Sequence, residues 1–142
     1  IFSLIVPFEI CKIDLISDIV NEFPELQGIM GGYFASSQGF DKDISLSISE
    51  HYLPTGPDSR IPRKPFSVAL ALTDKMDTLV GFFGINQKPT SSKDPYALRR
   101  SALGIIRLLL ENKKEFKISD LINYSISLYK YQWFEFQNYN TQ

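Results

Sequence analysis

The sequence predicts an all-helical domain, and three observations carry that prediction. Apolar residues recur at spacings of three and four along most of the chain, no run alternates long enough to suggest a strand, and the proline-rich breaks fall between the periodic segments. The 142 residues, 44% of them hydrophobic, are enough to bury a core without staples and argue against disorder.

The opening Ile1 to Val6 is apolar but has no positive leader, and Pro7 is expected to end it far short of the roughly 18 residues of a membrane span, so it is not read as a targeting segment. Phe8 to Phe23 then reads as an amphipathic helix, with Ile10, Ile13, Ile16 or Ser17 and Val20 on its buried side, stopped near Pro24. Glu25 to about Ser36 follows as a second helix whose apolar positions are Leu26, Ile29, Met30, Tyr33 and Phe34. Its glycines, Gly28, Gly31 and Gly32, each weaken an isolated helix by about 1 kcal/mol, a cost that close helix packing offsets.

Asp41 to Tyr52 is a shorter helix with Ile44, Leu46 and Ile48 as core candidates, and Pro54 through Pro65, with four prolines and Gly56, is an irregular loop. Phe66 to Phe83 is the central helix, burying Val68, Leu72, Met76, Leu79 and Phe83. After a loop from Gly84 to Lys93, Asp94 caps and Pro95 opens a helix running to Asn112. On it Leu98, Ala102, Ile105 and Leu109 form the buried face, while Arg100, Gly104, Arg107 and Glu111 line another, where the glycine would let a partner's backbone approach. Lys113 to Lys117 breaks the chain, Ser119 caps a final helix through Tyr129, and the aromatic end, Tyr129 to Tyr139, covers a core or continues into a part beyond this sequence.

Several chemistries fail on the residues. A single cysteine, Cys11, excludes an internal disulfide and a cysteine-built zinc site, and as a thiol in an apolar helix it reads as inert. Gly28 to Gly32 lacks the strand, spacing and lysine of a phosphate-binding loop, and Glu22 and Glu25, flanking Pro24, are solvated charges without a cleft. No catalytic residue is assigned.

Binding is better supported. Residues 1–59 carry two basic and nine acidic side chains, whereas residues 60–142 carry thirteen basic and seven acidic, so the formal net charge of −1 hides a basic second half. Residues 88–117 alone hold eight basic and three acidic side chains. Lys88, Lys93, Arg99, Arg100 and Arg107 are therefore RNA-binding candidates as phosphate contacts, with Tyr96 as a stacking side chain. The same cations serve equally well as salt bridges to the acidic half, so RNA contact and internal pairing are both open at the level of sequence.

Three ordered blocks carry a family resemblance: Glu22-Phe-Pro-Glu-Leu-Gln-Gly-Ile-Met-Gly31; Glu50-His-Tyr-Leu-Pro54 with Ala71-Leu-Thr-Asp-Lys-Met-Asp-Thr-Leu79; and Ser92-Lys-Asp-Pro-Tyr-Ala-Leu-Arg-Arg-Ser-Ala-Leu-Gly-Ile-Ile-Arg107. They resemble the beta subunit of the bacterial heterotetrameric glycyl-tRNA synthetase and lie within residues 9–112. The order of elements also resembles the HD phosphohydrolases, in a degenerate form. The resemblances imply a compact multi-helix HD-like domain at residues 1–117, and a C-terminal helix at 118–142 leading toward the next part of a longer chain, as the absence of an initiator methionine also suggests.

They further imply a non-catalytic module supporting tRNA recognition and subunit assembly in a cytoplasmic glycine-tRNA ligase. Its partners would be the alpha subunit, the remaining beta-subunit domains and tRNA(Gly), with no membrane; the fragment binds no cofactor, and the parent enzyme uses ATP. HD-type enzymes hold divalent metal on a paired His-Asp and further ligands. Here Ile13-Asp14 stands at the expected pair, His51 is the only histidine, and Asp74 resembles the last ligand aspartate. Isoleucine offers no lone pair, so Asp14, His51 and Asp74 read as vestigial positions without metal. The alternatives are an HD-type metal-dependent phosphohydrolase and a helical scaffold that binds only protein.

Overall fold

The computed structural model describes the backbone of residues 2–139 and the side chains of residues 5 and 7–130. Among the described residues it is helical with no strand: α1 (Phe2–Ile10), α2 (Asp18–Glu22), α3 (Ile29–Ser37), α4 (Lys42–Glu50), α5 (Pro65–Gly84), α6 (Leu98–Glu111) and α7 (Ile118–Tyr139), with 3-10 turns at Ile13–Ile16 and Pro24–Leu26. Residues 1–74 and 75–142 form two compact units, and the division falls within α5.

The first unit departs most from the periodicity. Pro7 does not end the apolar opening but lies inside α1, and the expected helix from Phe8 to Phe23 is instead the end of α1, a turn, a 3-10 segment and the short α2. Two side chains cause the break. Ser17 is extended (φ −88°, ψ 141°), and its Oγ accepts from Val20 N to cap α2 while donating to the Asp14 carbonyl at 2.6 Å. Asp14 turns fully inward, and its Oδ2 accepts from the backbone N–H groups of Gly28 (2.6 Å) and Gly31 (3.3 Å). Ile13 and Ile16, expected inside, are exposed in consequence, Ile16 by 82%; Val20 is buried.

Gly28 (φ 82°) separates the 3-10 turn from α3. On α3 the buried positions are Gly31, Gly32 and Ala35, whereas Ile29 and Tyr33 are exposed. The packed face is thus the glycine face. A Cβ at Gly32 would lie 2.7 Å from Ser49 Cβ and 2.8 Å from the Ser45 carbonyl, and one at Gly31 2.9 Å from Ile48 Cγ2, so α3 sits against α4 at a distance that only glycine permits. The Asp41 side chain caps α4 by accepting from Asp43 N (2.8 Å). Ile44 and Ile48 join Cys11, Ala35 and Leu70 in the core of this unit, with Ile10 and Phe40 at its edge; Leu46 is only half-buried. Residues 54–64 are irregular as expected, and Glu50 pairs with Arg60 (2.8 Å) and Asp43 with Lys64 (3.3 Å).

Pro65 occupies the first position of α5, which buries Val68, Leu70, Ala71 and Met76; Leu72 and Leu79 are half-buried and Phe83 is exposed. In the second unit, α6 buries Leu98, Ile105 and Leu109 of the predicted face, together with Leu108 and with Gly104, expected on the other face; Ala102 is half-buried. Leu103, Ile106 and Leu110 form an exposed stripe on it. Lys113 (φ 53°) breaks the chain before α7. Ser119 is not its cap: the helix begins at Ile118, and the Lys117 carbonyl accepts from the N–H groups of Asp120 and Leu121. The Tyr129 hydroxyl bonds Asp77 Oδ1 at 2.7 Å, and the ring end fits the space left by Gly81, where a Cβ would come within 2.7 Å of the oxygen. The backbone stays helical to Tyr139, and the aromatic side chains from Tyr131 lie outside the described residues.

Candidate nucleic-acid interface

The α6 N-terminus is built by one carboxylate and one turn. Asp94 Oδ1 accepts from Leu98 N (2.8 Å) and Oδ2 from Arg99 N (3.0 Å), as a cap should, but the helix starts at Leu98 and not at Pro95. Ala97 is left-handed (φ 53°), so Pro95 to Ala97 make a turn that delivers the carboxylate to the first free N–H groups. Slight desolvation raises the Asp94 pKa, but the bonds from Arg99 and Leu98 and the Arg99 and Arg100 charges outweigh it and hold the carboxyl below its ordinary range.

The loop before the helix is tied to it through Thr90. Its N–H donates to the Lys93 carbonyl (2.8 Å), its Oγ1 accepts from Lys93 N (3.1 Å), and its carbonyl accepts from the Arg99 guanidinium. The geometry brings Lys93 and Arg99 together at this turn. Tyr96 stacks on Phe82 with ring centroids 4.0 Å apart, which occupies one face of the expected stacking platform and leaves the residue 43% exposed. Sequence reasoning missed Thr90 and Phe82, because neither residue type carries charge or periodicity that would mark it.

Lys88, Lys93, Arg99 and Arg100 are exposed, and the ion pairs at Lys12–Asp74, Arg60–Glu50, Lys64–Asp43 and Arg107–Glu111 involve none of them. Arg107 is half-buried and pairs with Glu111 one turn on at 3.0 Å. Gly104, expected to let the backbone of another helix or of a nucleic acid come close, is buried. Arg100 and Arg107 are separated by about 10 Å of helix rise.

The three positions that the HD resemblance singles out, Asp14, His51 and Asp74, lie in the first unit. Asp74 is a partly buried carboxylate bound by Lys12 Nζ at 2.5 Å, a partner that sequence reasoning did not name. His51 ends α4 with Nδ1 2.6 Å from the Ile48 carbonyl, which assigns the proton to that nitrogen. Burial lowers its pKa, outweighing the Ile48 bond and the Asp74 charge, so the ring is neutral at neutral pH. Cys11 is buried and burial raises its pKa, as expected of an inert thiol.

The HD resemblance implies a divalent metal, and the residues do not fit one. One Asp14 oxygen is held by two amides, one His51 nitrogen by a carbonyl and Asp74 by an ammonium; among the described residues no three His, Cys, Asp or Glu side chains are grouped to hold an ion. No helix of the described residues is long and apolar enough to cross a membrane. The second unit also carries an apolar groove of about 970 Å³ lined by residues that include Leu79, Phe83, Ile106, Ile122 and Ile126.

Fold and site together define an all-α module with a basic, internally braced loop and helix. Residues 7–142 match the family model of the glycyl-tRNA synthetase beta subunit. The chain is 50% identical over 128 residues to the glycine–tRNA ligase beta subunit of Rickettsia canadensis, covering 90% of this chain and 19% of that protein. It is 55% identical over 103 residues to that of Rhodospirillum centenum, covering 72% and 14%. Against the subunit of Phenylobacterium zucineum it is 49% identical over 114 residues, covering 80% and 17%. The chain belongs to the glycyl-tRNA synthetase beta subunit family and spans less than a fifth of the length of these curated relatives.

Proposed function

We propose that this chain is a non-catalytic part of a cytoplasmic glycine-tRNA ligase beta subunit, contributing to tRNA recognition and to assembly with the alpha subunit during ATP-dependent glycylation of tRNA(Gly). The carrying observation is the cluster of exposed Lys88, Lys93, Arg99 and Arg100 around one braced turn and helix start, in a chain of this family. Thr90 and Asp94 position that turn with bonds that leave the lysine ammonium groups free to reach phosphate. The apolar groove supports the assembly role, since contiguous exposed apolar surface marks contact sites.

The test is tRNA binding by the parent enzyme carrying Lys93→Ala, Arg100→Ala or Arg107→Ala, measured across a salt series. Each lost phosphate contact should reduce the salt slope by about one and weaken binding to different tRNAs alike. An unchanged affinity and slope in all three variants would remove the basic surface from RNA contact.

A further inference from the structure

Tyr96 is the only aromatic residue between Lys88 and Asn112, and the exposed cations Lys93, Arg99 and Arg100 lie within four positions of it. Its ring rests on the Phe82 ring, with centroids 4.0 Å apart and planes 21° apart, yet the residue stays 43% exposed. Phe82 therefore backs one face of Tyr96 while ring surface remains in water. The backbone beneath is fixed as well. Asp94 accepts from the N–H groups of Leu98 (2.8 Å) and Arg99 (3.0 Å), Ala97 is left-handed, and the Arg99 guanidinium donates to the Thr90 carbonyl. A ring held in this way has little freedom left to lose when a partner docks on it.

The surroundings of the ring set what that partner is. Asp94 already uses the first free amides of α6, so anion binding at this turn falls to the side chains of Lys93 and Arg100. A flat apolar ring flanked by phosphate-binding cations matches a nucleotide, in which one sugar joins a flat base to a charged phosphate. Paired bases do not offer that face. In a duplex each base is covered above and below by its neighbours, and the deep, narrow major groove of A-form RNA keeps side chains from the edges. A ring on a fixed turn therefore meets a base face where the strand is unpaired.

We propose that Tyr96, backed by Phe82, is a stacking platform for an unpaired base of RNA, with Lys93 and Arg100 on the adjoining phosphates. The platform rests on the RNA contact proposed above and narrows it from phosphate alone to a single-stranded segment. Stacking accepts any base, because every base has a π-face, so the platform selects unpaired strand rather than sequence.

The experiment measures binding of tRNA(Gly), and of a long RNA duplex with few ends, to the parent enzyme carrying Tyr96→Ala, Tyr96→Phe or Lys93→Ala, across a salt series. Tyr96→Ala should weaken tRNA binding by about 5- to 100-fold at an unchanged salt slope, since a stacked base releases no counterion. Tyr96→Phe keeps the ring and should stay within about twofold of the native affinity, and neither change should alter duplex binding. Lys93→Ala should instead reduce the slope. If Lys93→Ala reduces the slope while Tyr96→Ala leaves tRNA affinity unchanged, the RNA contact holds and the platform falls. If neither variant has an effect, both fall. A reduced slope in Tyr96→Ala, an equal loss on the duplex, or an equal loss in Tyr96→Phe would also overturn the platform, the first two by showing that the turn has moved. Should circular dichroism show that Tyr96→Ala disturbs the fold, Tyr96→Leu, which keeps an apolar cover on Phe82, is read by the same outcomes.

Discussion

Adding one methyl group at residue 32 should unfold this chain more easily, although alanine is the better helix former. Gly32 lies within α3, so Gly32→Ala gains about 1 kcal/mol of helix propensity. The new Cβ, however, would stand 2.7 Å from Ser49 Cβ and 2.8 Å from the Ser45 carbonyl, closer than carbon atoms approach without displacement. One of those neighbours is helix backbone, which cannot turn away as a side-chain tip can, so α3 and α4 must part by most of an ångström. Overpacking of that kind costs up to about 3 kcal/mol, leaving a net loss of about 2 kcal/mol. Gly56→Ala is the control, because the same change in the irregular loop of the same unit meets nothing within 4 Å. It should be neutral or gain about 0.5 kcal/mol by restricting the unfolded chain. Urea unfolding followed by far-ultraviolet circular dichroism measures both. A Gly32→Ala midpoint at or above the native one would refute the close α3–α4 contact.

Asp14→Ala should cost about 2–4 kcal/mol, because the buried N–H groups of Gly28 and Gly31 lose their acceptor; urea unfolding again measures it. His51 is held neutral with its pKa below the ordinary value of about 6.5. The unfolded chain therefore takes up a proton first as pH falls, so the His51 contribution is complete above about 6.5 and declines below it toward the folded value. His51→Gln should flatten the slope of stability against pH in that window. Tyr129 has its pKa pushed up to about 12 by burial, by its bond to Asp77 and by that carboxylate's charge. It favours the folded chain below about pH 10 and ceases to as pH rises to about 12, an effect that solvent screening keeps small. Burial raises the pKa of Tyr52 as well, so absorbance titration near 295 nm should show a late phase that loses amplitude in Tyr129→Phe without vanishing.

Much of the helical plan is legible from residue order, and the parts that are not share a cause. The spans of α4, α5 and α6 come within a few residues of the periodic segments, because Asp41, Pro65 and Asp94 are local signals that act on the next turn. The region from Phe8 to Ser37 resists the same reasoning. Its organiser is a bond from Asp14 to amides 14 and 17 residues away, and apolar spacing carries no information about where a polar side chain will find its partner. Glycine adds a second blind spot: periodicity scores Gly31 and Gly32 as weak, whereas their missing side chains are what α4 packs against.

The same distinction governs the two candidate sites. Basic residues of the 88–107 stretch are legible because charge density is a property of sequence, and the structure adds that Thr90, Asp94 and Phe82 brace the turn that displays them. Lys12 is not legible, since its meaning depends on Asp74, 62 positions later, and on the Tyr52 ring beneath it. The HD resemblance marks Asp14, His51 and Asp74 as vestigial metal positions, with Ile13 where the paired histidine would stand. Geometry gives Asp74 a different partner, the Lys12 ammonium, which lies 62 positions away. Asp14 is held by backbone amides, His51 by a carbonyl and Asp74 by a lysine, so each is held by a partner that residue spacing does not reveal.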